Sequence, residues 1–154
     1  MAETTQDAIV DPEAHKTYLH IDVVTETYPP EINGVAHTVS MLVKGLKKNN
    51  HLVQVIRPEQ KADGSNTSIA LEEHDFLVKS FPIPLYRELR MGLPCKQKLI
   101  KRWTEKRPDV IHIATEGPLG WSAVRAAHAL GIPMSSDFRT NFHAYSAMYK
   151  LGLI

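Results

Sequence analysis

Short apolar segments of strand length alternate with amphipathic segments of helical length, and this alternation restricts the fold more than any other feature. The strand-like segments are residues 18–25, 51–56, 109–114 and 133–138, with a weaker candidate at residues 76–80. Apolar runs of this length are typical of strands buried on both faces of a parallel sheet. The order of elements therefore predicts an α/β fold, a Rossmann-like doubly wound parallel sheet.

The segments between these strands carry apolar residues at helical spacing. The stripe in residues 35–46 ends near a lysine cluster, which suits the negative end of a helix dipole. A basic helix is predicted for residues 95–107, and residues 118–130 form a stripe that starts with proline and ends before glycine. A further helix starts within residues 141–151.

Three segments are interpreted as irregular. Residues 1–16 lack apolar periodicity and are predicted to be a flexible tail, and residues 57–74 are predicted to be a surface loop. Residues 81–94 contain three prolines, which predicts a rigid extended loop instead of a regular element. The domain is therefore assigned to residues 17–154. Because no closing strand follows the last predicted helix, we expect the front portion of a larger protein.

Charge and cysteine content argue against several functional classes. The 18 Lys and Arg residues nearly balance the 17 Asp and Glu residues, whereas nucleic-acid-binding proteins usually carry a basic surplus. Cys95 is the single cysteine, which fits a reducing cytoplasm. No apolar stretch approaches the ~20 residues that span a bilayer. We expect a soluble cytoplasmic protein. Peripheral contact at the inner membrane face stays open, because the basic run at residues 96–107 fits a solvated helix face or, less simply, a membrane-binding surface.

Candidate functional residues concentrate in the loops that follow three predicted strands. In an open parallel sheet, ligands bind beyond the carboxyl ends of the strands, where the strand order reverses. The reversal is expected between strands 18–25 and 109–114, whose following loops read TETYPPEING and TEGPLG. The loop after the last strand reads RTNFHAY. We therefore predict that these three loops line one crevice.

Asn33 and Gly34 stand just before the first predicted helix. Gly34 has no side chain, so a ligand can approach its backbone, and amides at a helix N-terminus favour phosphate. Asn33 can cap that helix. Taken alone, the pair favours a turn and cap without a ligand. The lack of GxGxxG and GxxxxGK[ST] motifs argues against a dinucleotide or P-loop site.

The acidic loop residues have two open interpretations each. Glu116 follows a central strand and could accept hydrogen bonds from sugar hydroxyls, or it could simply stabilise the start of the next helix. Glu26 and Glu31 are interpreted as solvated or loop-shaping residues, with ligand contact as the less favoured alternative.

Charged residues also follow the last predicted strand. Arg139 could bind a phosphate or carboxylate in a forked pair, and His143 could act as a donor or base. The slightly favoured alternative is that Arg139 pairs with Asp137. His20 and His112 lie within strands and are interpreted as hydrogen-bonded core residues. The remaining histidines lack zinc-ligand spacing.

Four motifs in order resemble the front half of the retaining family 4 glycosyltransferases. They are TETYPPEINGV, SFPIPLYRELRMGLP, PDVIHIATEGPLG and SDFRTNFHAY, and the resemblance covers most of residues 17–150. The subgroup that they resemble contains α-mannosyltransferases and sulfoquinovosyl-diacylglycerol synthases. The resemblance implies a GT-B enzyme with two facing Rossmann-like halves, of which this chain is the N-terminal, acceptor-side half.

The resemblance also implies an activity. A nucleotide-sugar donor would give its sugar to a lipid or sugar acceptor with retention of configuration, and no cofactor or metal would be required. The C-terminal donor-binding domain is absent from the chain, so we expect little or no activity without it, supplied in cis or by a partner chain. The alternatives are a Rossmann-like binding module that has lost the transferase chemistry and an unrelated nucleotide-binding protein.

Specific residues take roles from the resemblance. The implied catalytic residues are Glu116, Arg139 and His143. The implied donor-phosphate site comprises Asn33, Gly34 and Val35, and the implied acceptor site comprises Glu26, Tyr28, Asp137, Asn141 and Tyr145. Arg139 occupies the place where many relatives have histidine. Its role is therefore open, since Arg139 could neutralise phosphate itself or His143 could compensate.

Overall fold

The computed structural model describes residues 18–60, 75–84 and 86–137, and these residues contain seven strands and three helices. In chain order they are β1 (His20–Val24), α1 (Gly34–Lys48), β2 (Leu52–Pro58), β3 (Phe76–Val78), β4 (Ser80–Ile83), β5 (Tyr86–Gly92), α2 (Lys96–Glu105), β6 (Val110–Ile113), α3 (Pro118–Leu130) and β7 (Met134–Ser136). The predicted tail at residues 1–16 and the predicted helix at residues 141–151 lie outside the described residues.

Five strands form one parallel sheet in the order β3-β2-β1-β6-β7. The chain builds outward from β1 to β3 on one side and then returns to place β6 on the other side of β1. The strand order therefore reverses between β1 and β6, as predicted. The α/β class and the Rossmann-like arrangement are confirmed.

Helices cover both faces of this sheet. Helix α1 packs on the face that carries Val23, whereas α2 and α3 pack on the face that carries Val24. Successive residues of a strand point to opposite faces, so the central strand β1 contributes to both layers of the core. Burial of each such aliphatic side chain stabilises the fold by roughly 1.5–3 kcal/mol.

A buried hydrogen bond attaches α2 to the central strand. Trp103 Nε1 donates to Asp22 Oδ2 at 2.8 Å, and His20 Nε2 lies 2.9 Å from Asp22 Oδ1. Burial raises the pKa of Asp22, although the Trp103 hydrogen bond and the charges of His20 and Arg102 lower it. His20 is thus a partnered near-core histidine, as expected.

The prediction of an extended loop at residues 81–94 is wrong for most of that segment. Strands β4 and β5 pair there as an antiparallel two-stranded sheet, with a register irregularity between Pro82 and Ile83. Each strand of a two-stranded sheet is an edge strand, so proline can occupy a position whose amide has no partner to lose. The prolines in this segment are therefore compatible with a two-stranded hairpin. The predicted loop at residues 57–74 also begins later, because β2 continues through Pro58.

Candidate functional site

The buried carboxylate of Glu26 connects the loop after β1 to two other elements. Its Oε1 accepts a hydrogen bond from the Leu119 amide, and its Oε2 accepts one from the Gly92 amide, both at 2.8 Å. The Glu26 amide donates to Thr115 Oγ1 at 2.7 Å. The loops after β1 and β6 are therefore adjacent, as predicted, and the end of β5 joins them.

Glu26 is only 9% exposed. Burial raises its pKa from 4.5 to about 7, although hydrogen bonds from the amides of Gly92, Leu119 and Gly120 lower it. The expectation that Glu26 is solvated is wrong, because its partners come from distant parts of the chain and enclose it. Its loop-shaping role is what these contacts support. An acceptor hydroxyl at Glu26 would have to compete with amides that both oxygens already bind.

Gly117 provides the space that the Glu26 carboxylate occupies. Its φ is 157°, which disfavours residues with a side chain. A Cβ at Gly117 would lie 2.5 Å from Glu26 Oε1. The sequence TEG therefore positions Thr115 to bind the Glu26 backbone and leaves room at Gly117 for the Glu26 side chain.

Asn33 is the N-cap of α1, as predicted. Its Oδ1 accepts from the Ala36 amide at 2.8 Å, and its Nδ2 donates to Thr27 Oγ1 at 2.7 Å. Thr27 Oγ1 in turn donates to the Glu31 carboxylate. Burial raises the pKa of Glu31. The oxygen and the nitrogen of the Asn33 side chain thus both hold the loop in place. Asn33 would therefore contribute to a ligand site by supporting the start of α1.

The start of α1 is open to solvent around Gly34. The amides of Gly34 and Val35 have no acceptor in the part of the chain that the structure describes. A Cβ at Gly34 would meet no atom within 4 Å, and the neighbouring Ile32 is fully exposed. Because the first amides of a helix lie at the positive end of its dipole, this arrangement can bind an anion. The donor-phosphate role of these residues stays a prediction.

Tyr28 and Glu116 occupy contrasting positions. Tyr28 is 6% exposed and belongs to the core layer on the α1 side. This burial does not favour the predicted acceptor contact for its ring. Glu116 is exposed in the loop between β6 and α3, beside Gly117, so its carboxylate is accessible to a ligand.

Asp137 follows β7 at the same edge of the sheet and approaches a histidine of β6. His112 Nε2 lies 3.3 Å from Asp137 Oδ2, and His112 Nδ1 lies 2.9 Å from Ser135 Oγ. The interpretation of His112 as a partnered near-core residue is confirmed, but its link to Asp137 was missed. Strand periodicity puts residues 135 and 137 on the same side of the chain, but only the register of β6 with β7 brings that side to His112.

Four predicted site residues lie outside the described residues: Arg139, Asn141, His143 and Tyr145. Their roles, and the alternative pairing of Arg139 with Asp137, stay predictions. Within residues 18–60, 75–84 and 86–137, no cluster of three or more His, Cys, Asp or Glu side chains has a metal-binding arrangement. None of the helices there is long and apolar enough to cross a bilayer.

Comparison with known proteins gives matches over most of the chain. The family model described as Glycosyltransferase Family 4 matches residues 32–152. The GDP-mannose-dependent alpha-mannosyltransferase of Corynebacterium glutamicum is 29% identical over 134 residues, which are 87% of this chain and 32% of that protein. The enzyme with the same name from Mycolicibacterium smegmatis is 27% identical over 140 residues, 88% of this chain and 36% of that protein.

A third relative has a different described activity. The alpha-monoglucosyldiacylglycerol synthase of Streptococcus pneumoniae is 24% identical over 136 residues, 88% of this chain and 30% of that protein. The chain thus spans about one third of the length of these three relatives, at 32%, 36% and 30%.

Proposed function

This chain belongs to glycosyltransferase family 4, and on that premise we propose that it is the acceptor-side domain of an enzyme that transfers a sugar from a nucleotide-sugar donor to a lipid or sugar acceptor. The proposal includes retention of anomeric configuration and no requirement for a metal or another cofactor. The observation that carries it is the start of α1, where the amides of Gly34 and Val35 have no acceptor among the described residues and a Cβ at Gly34 would meet no atom within 4 Å.

The start of α1 suits the diphosphate of a nucleotide sugar. Two amides without acceptors in residues 18–60, 75–84 and 86–137 can donate hydrogen bonds to phosphate oxygens, and the helix dipole adds roughly 0.3–1 kcal/mol for a nearby negative charge. Gly34 removes the side chain that would keep a phosphate away from the backbone. Asn33 fixes this geometry through its cap and its Thr27 contact. GDP-mannose is the first donor to test, because relatives carry it in their names.

The remaining predicted residues complete the proposal. The exposed Glu116 and the residues Arg139 and His143 are proposed to act near the reacting sugar, and Asp137, Asn141 and Tyr145 to contact the acceptor. Most donor contacts would come from a second Rossmann-like half, in cis or in a partner chain. This chain alone is therefore proposed to transfer little or no sugar.

An NMR titration of the chain with inorganic pyrophosphate tests the donor-phosphate site. We expect the largest amide shifts at Gly34 and Val35, at millimolar pyrophosphate, because a single half of the cleft binds weakly. Sodium chloride at equal ionic strength is the control. Shifts that spread evenly over exposed lysines, with none at these two amides, would remove the proposed site. A binding module without transferase chemistry would pass this test but show no transfer from GDP-mannose when the second half is supplied.

Peripheral membrane contact is a secondary proposal, supported by the outer surface of α2. Lys101 and Lys106 are exposed on or just after this helix, and each lysine near an anionic bilayer contributes about 1 kcal/mol of attraction. An acceptor anchored in a lipid, as the name of the streptococcal relative implies for that protein, would require such contact.

A further inference from the structure

His112 stands between Ser135 and Asp137 at the edge of the parallel sheet. It pairs in register with Val23 of β1 on one side and with Ser135 of β7 on the other. Asp137 follows β7 two residues after Ser135, so strand periodicity puts residues 112, 135 and 137 on one face of the β6–β7 pair. His112 is mostly enclosed, with 15% of its side chain exposed, whereas 39% of the Asp137 side chain is exposed.

The two ring nitrogens of His112 have different neighbours. Nδ1 lies 2.9 Å from Ser135 Oγ, which fixes the plane of the ring. Nε2 lies 3.3 Å from Asp137 Oδ2. Nε2 is buried, and no described residue makes a hydrogen bond of good geometry with it. The Asp137 carboxylate is the polar group that it approaches. The ring thus links the interior of β6 to a carboxylate near the surface.

Asp137 directly follows β7 at the carboxyl edge of the parallel sheet. Its amide donates to the Ile113 carbonyl at 3.2 Å, which extends the β6–β7 ladder one residue beyond β7. Its backbone is therefore held by the sheet, and its side chain emerges at the carboxyl edge, where ligands bind in open parallel sheets. A carboxylate has about four lone-pair sites, so it can bind more than one partner at the same time.

We propose that His112 is a positioning residue for the acceptor: with its ring fixed by Ser135, it orients the Asp137 carboxylate so that an alcohol hydroxyl of the acceptor can donate a hydrogen bond to it. This inference rests on the proposed function, since it uses Asp137 as an acceptor contact. It assigns a binding role to a strand residue that periodicity places in the core. The shared ligand chemistry is an alcohol, carried by a sugar or by a glycerolipid.

A double-mutant cycle on the full chain tests this coupling. Two probes distinguish the alcohol sources: methyl α-D-mannopyranoside for a sugar and 1,2-dihexanoylglycerol for a lipid, each titrated by NMR. We expect Asp137→Ala to weaken binding of at least one probe about tenfold, as for a lost hydrogen bond to a charged group. His112→Ala should weaken it about fivefold in the native background and not at all with Asp137→Ala.

Further variants separate positioning from a general structural effect. His112→Gln places an amide donor near the position of Nε2, so it should bind within about twofold of the native chain. His128→Ala, at an exposed position of α3, is the matched control and should not change binding. Each variant is measured well below its unfolding midpoint. If His112→Ala does not fold, His112→Gln and Ser135→Ala carry the test, with Ser135→Ala expected to weaken binding about twofold to threefold.

Several results would overturn the inference. It falls if His112→Ala weakens binding equally in both backgrounds, if it has no effect, or if Asp137→Ala leaves both probes bound as before. Failure of both probes to bind would also overturn it. Pyrophosphate shifts at Gly34 and Val35, recorded on the same samples, report separately on the proposed donor site, so the two failures can be told apart.

Discussion

The Glu26 carboxylate accepts a hydrogen bond from the Leu119 amide in the first turn of α3, 93 residues further along the chain. This contact brings a negative side chain to the positive end of the α3 dipole while excluding it from water. The hydrogen bonds favour the charged form, and burial opposes it more strongly. Glu26 therefore joins the loops of the candidate site through a carboxylate that titrates near neutral pH.

The first prediction concerns pH. Burial raises the pKa of Glu26 from 4.5 in the ordinary case to about 7, so between these values the folded chain retains a proton that the unfolded chain has released. The stabilisation that this bound proton gives the folded chain is complete below about pH 4.5 and is lost as the pH rises through about 7. Ionisation of Glu26 should therefore reduce the free energy of unfolding by about 2–3 kcal/mol when the pH is raised from 5 to 8.

Urea unfolding of the native chain and of Glu26→Gln at both pH values measures this contribution. The variant should be less stable overall, because its amide group faces a backbone donor, but it should lose the part of the pH dependence that comes from Glu26. Glu59→Gln, at an exposed position, is the control and should keep the native pH dependence. The same pH dependence in Glu26→Gln and the native chain would contradict the prediction.

The second prediction concerns Gly117. Gly117→Ala forces a side chain onto a backbone with φ of 157° and places Cβ 2.5 Å from Glu26 Oε1. We expect a loss of at least about 2 kcal/mol in the free energy of unfolding. The control is Gly45→Ala, in α1, where a Cβ meets nothing within 4 Å. This change should stabilise the chain by about 0.5–1 kcal/mol. Equal stability of Gly117→Ala and the native chain would show that the loop relaxes at little cost.

The third prediction separates function from structure at Gly34. A Cβ there meets nothing within 4 Å, so Gly34→Val should change the free energy of unfolding by less than about 1 kcal/mol. The same change should obstruct the approach of a diphosphate to the amides and reduce the pyrophosphate shifts strongly, with Gly34→Ala intermediate. Binding and stability are measured on the same preparations. A loss of stability as large as the loss of binding would identify a purely structural glycine.

The fourth prediction addresses the membrane. Sedimentation with vesicles containing phosphatidylglycerol should retain more protein than sedimentation with pure phosphatidylcholine. The double change Lys101→Glu and Lys106→Glu should weaken retention about tenfold or more, at roughly 1 kcal/mol per removed cation. Lys44→Glu, exposed on α1 at the other face of the sheet, is the control. Equal retention on both vesicle types would argue against an anionic-lipid surface at α2.

The sheet could be predicted because its signals are local. Apolar runs of strand length, separated by amphipathic helices, permit few parallel arrangements, and they led to the reversal beside β1. The β4–β5 hairpin could not be predicted in the same way. Its three-proline segment carries the signals of a loop, and only the pairing of two edge strands shows that Pro82 is tolerated.

The parts of the candidate site that depend on neighbouring residues in the chain could be predicted. The parts that depend on contacts between distant residues could not. Asn33 and Gly34 could be recognised as a helix start from adjacent residues alone. The burial of Glu26 could not, because its partners Gly92 and Leu119 are 66 and 93 residues away. The approach of His112 to Asp137 likewise depends on the register of β6 with β7, which no local pattern specifies.

The space at Gly117 makes positions 26 and 117 mutually dependent. A shorter acid at position 26 would lose its reach to α3, and any larger residue at position 117 would occupy the volume of the Glu26 side chain. Related sequences that vary one position should therefore vary the other with it. Anyone who grafts or redesigns either loop has to transfer the two as a unit.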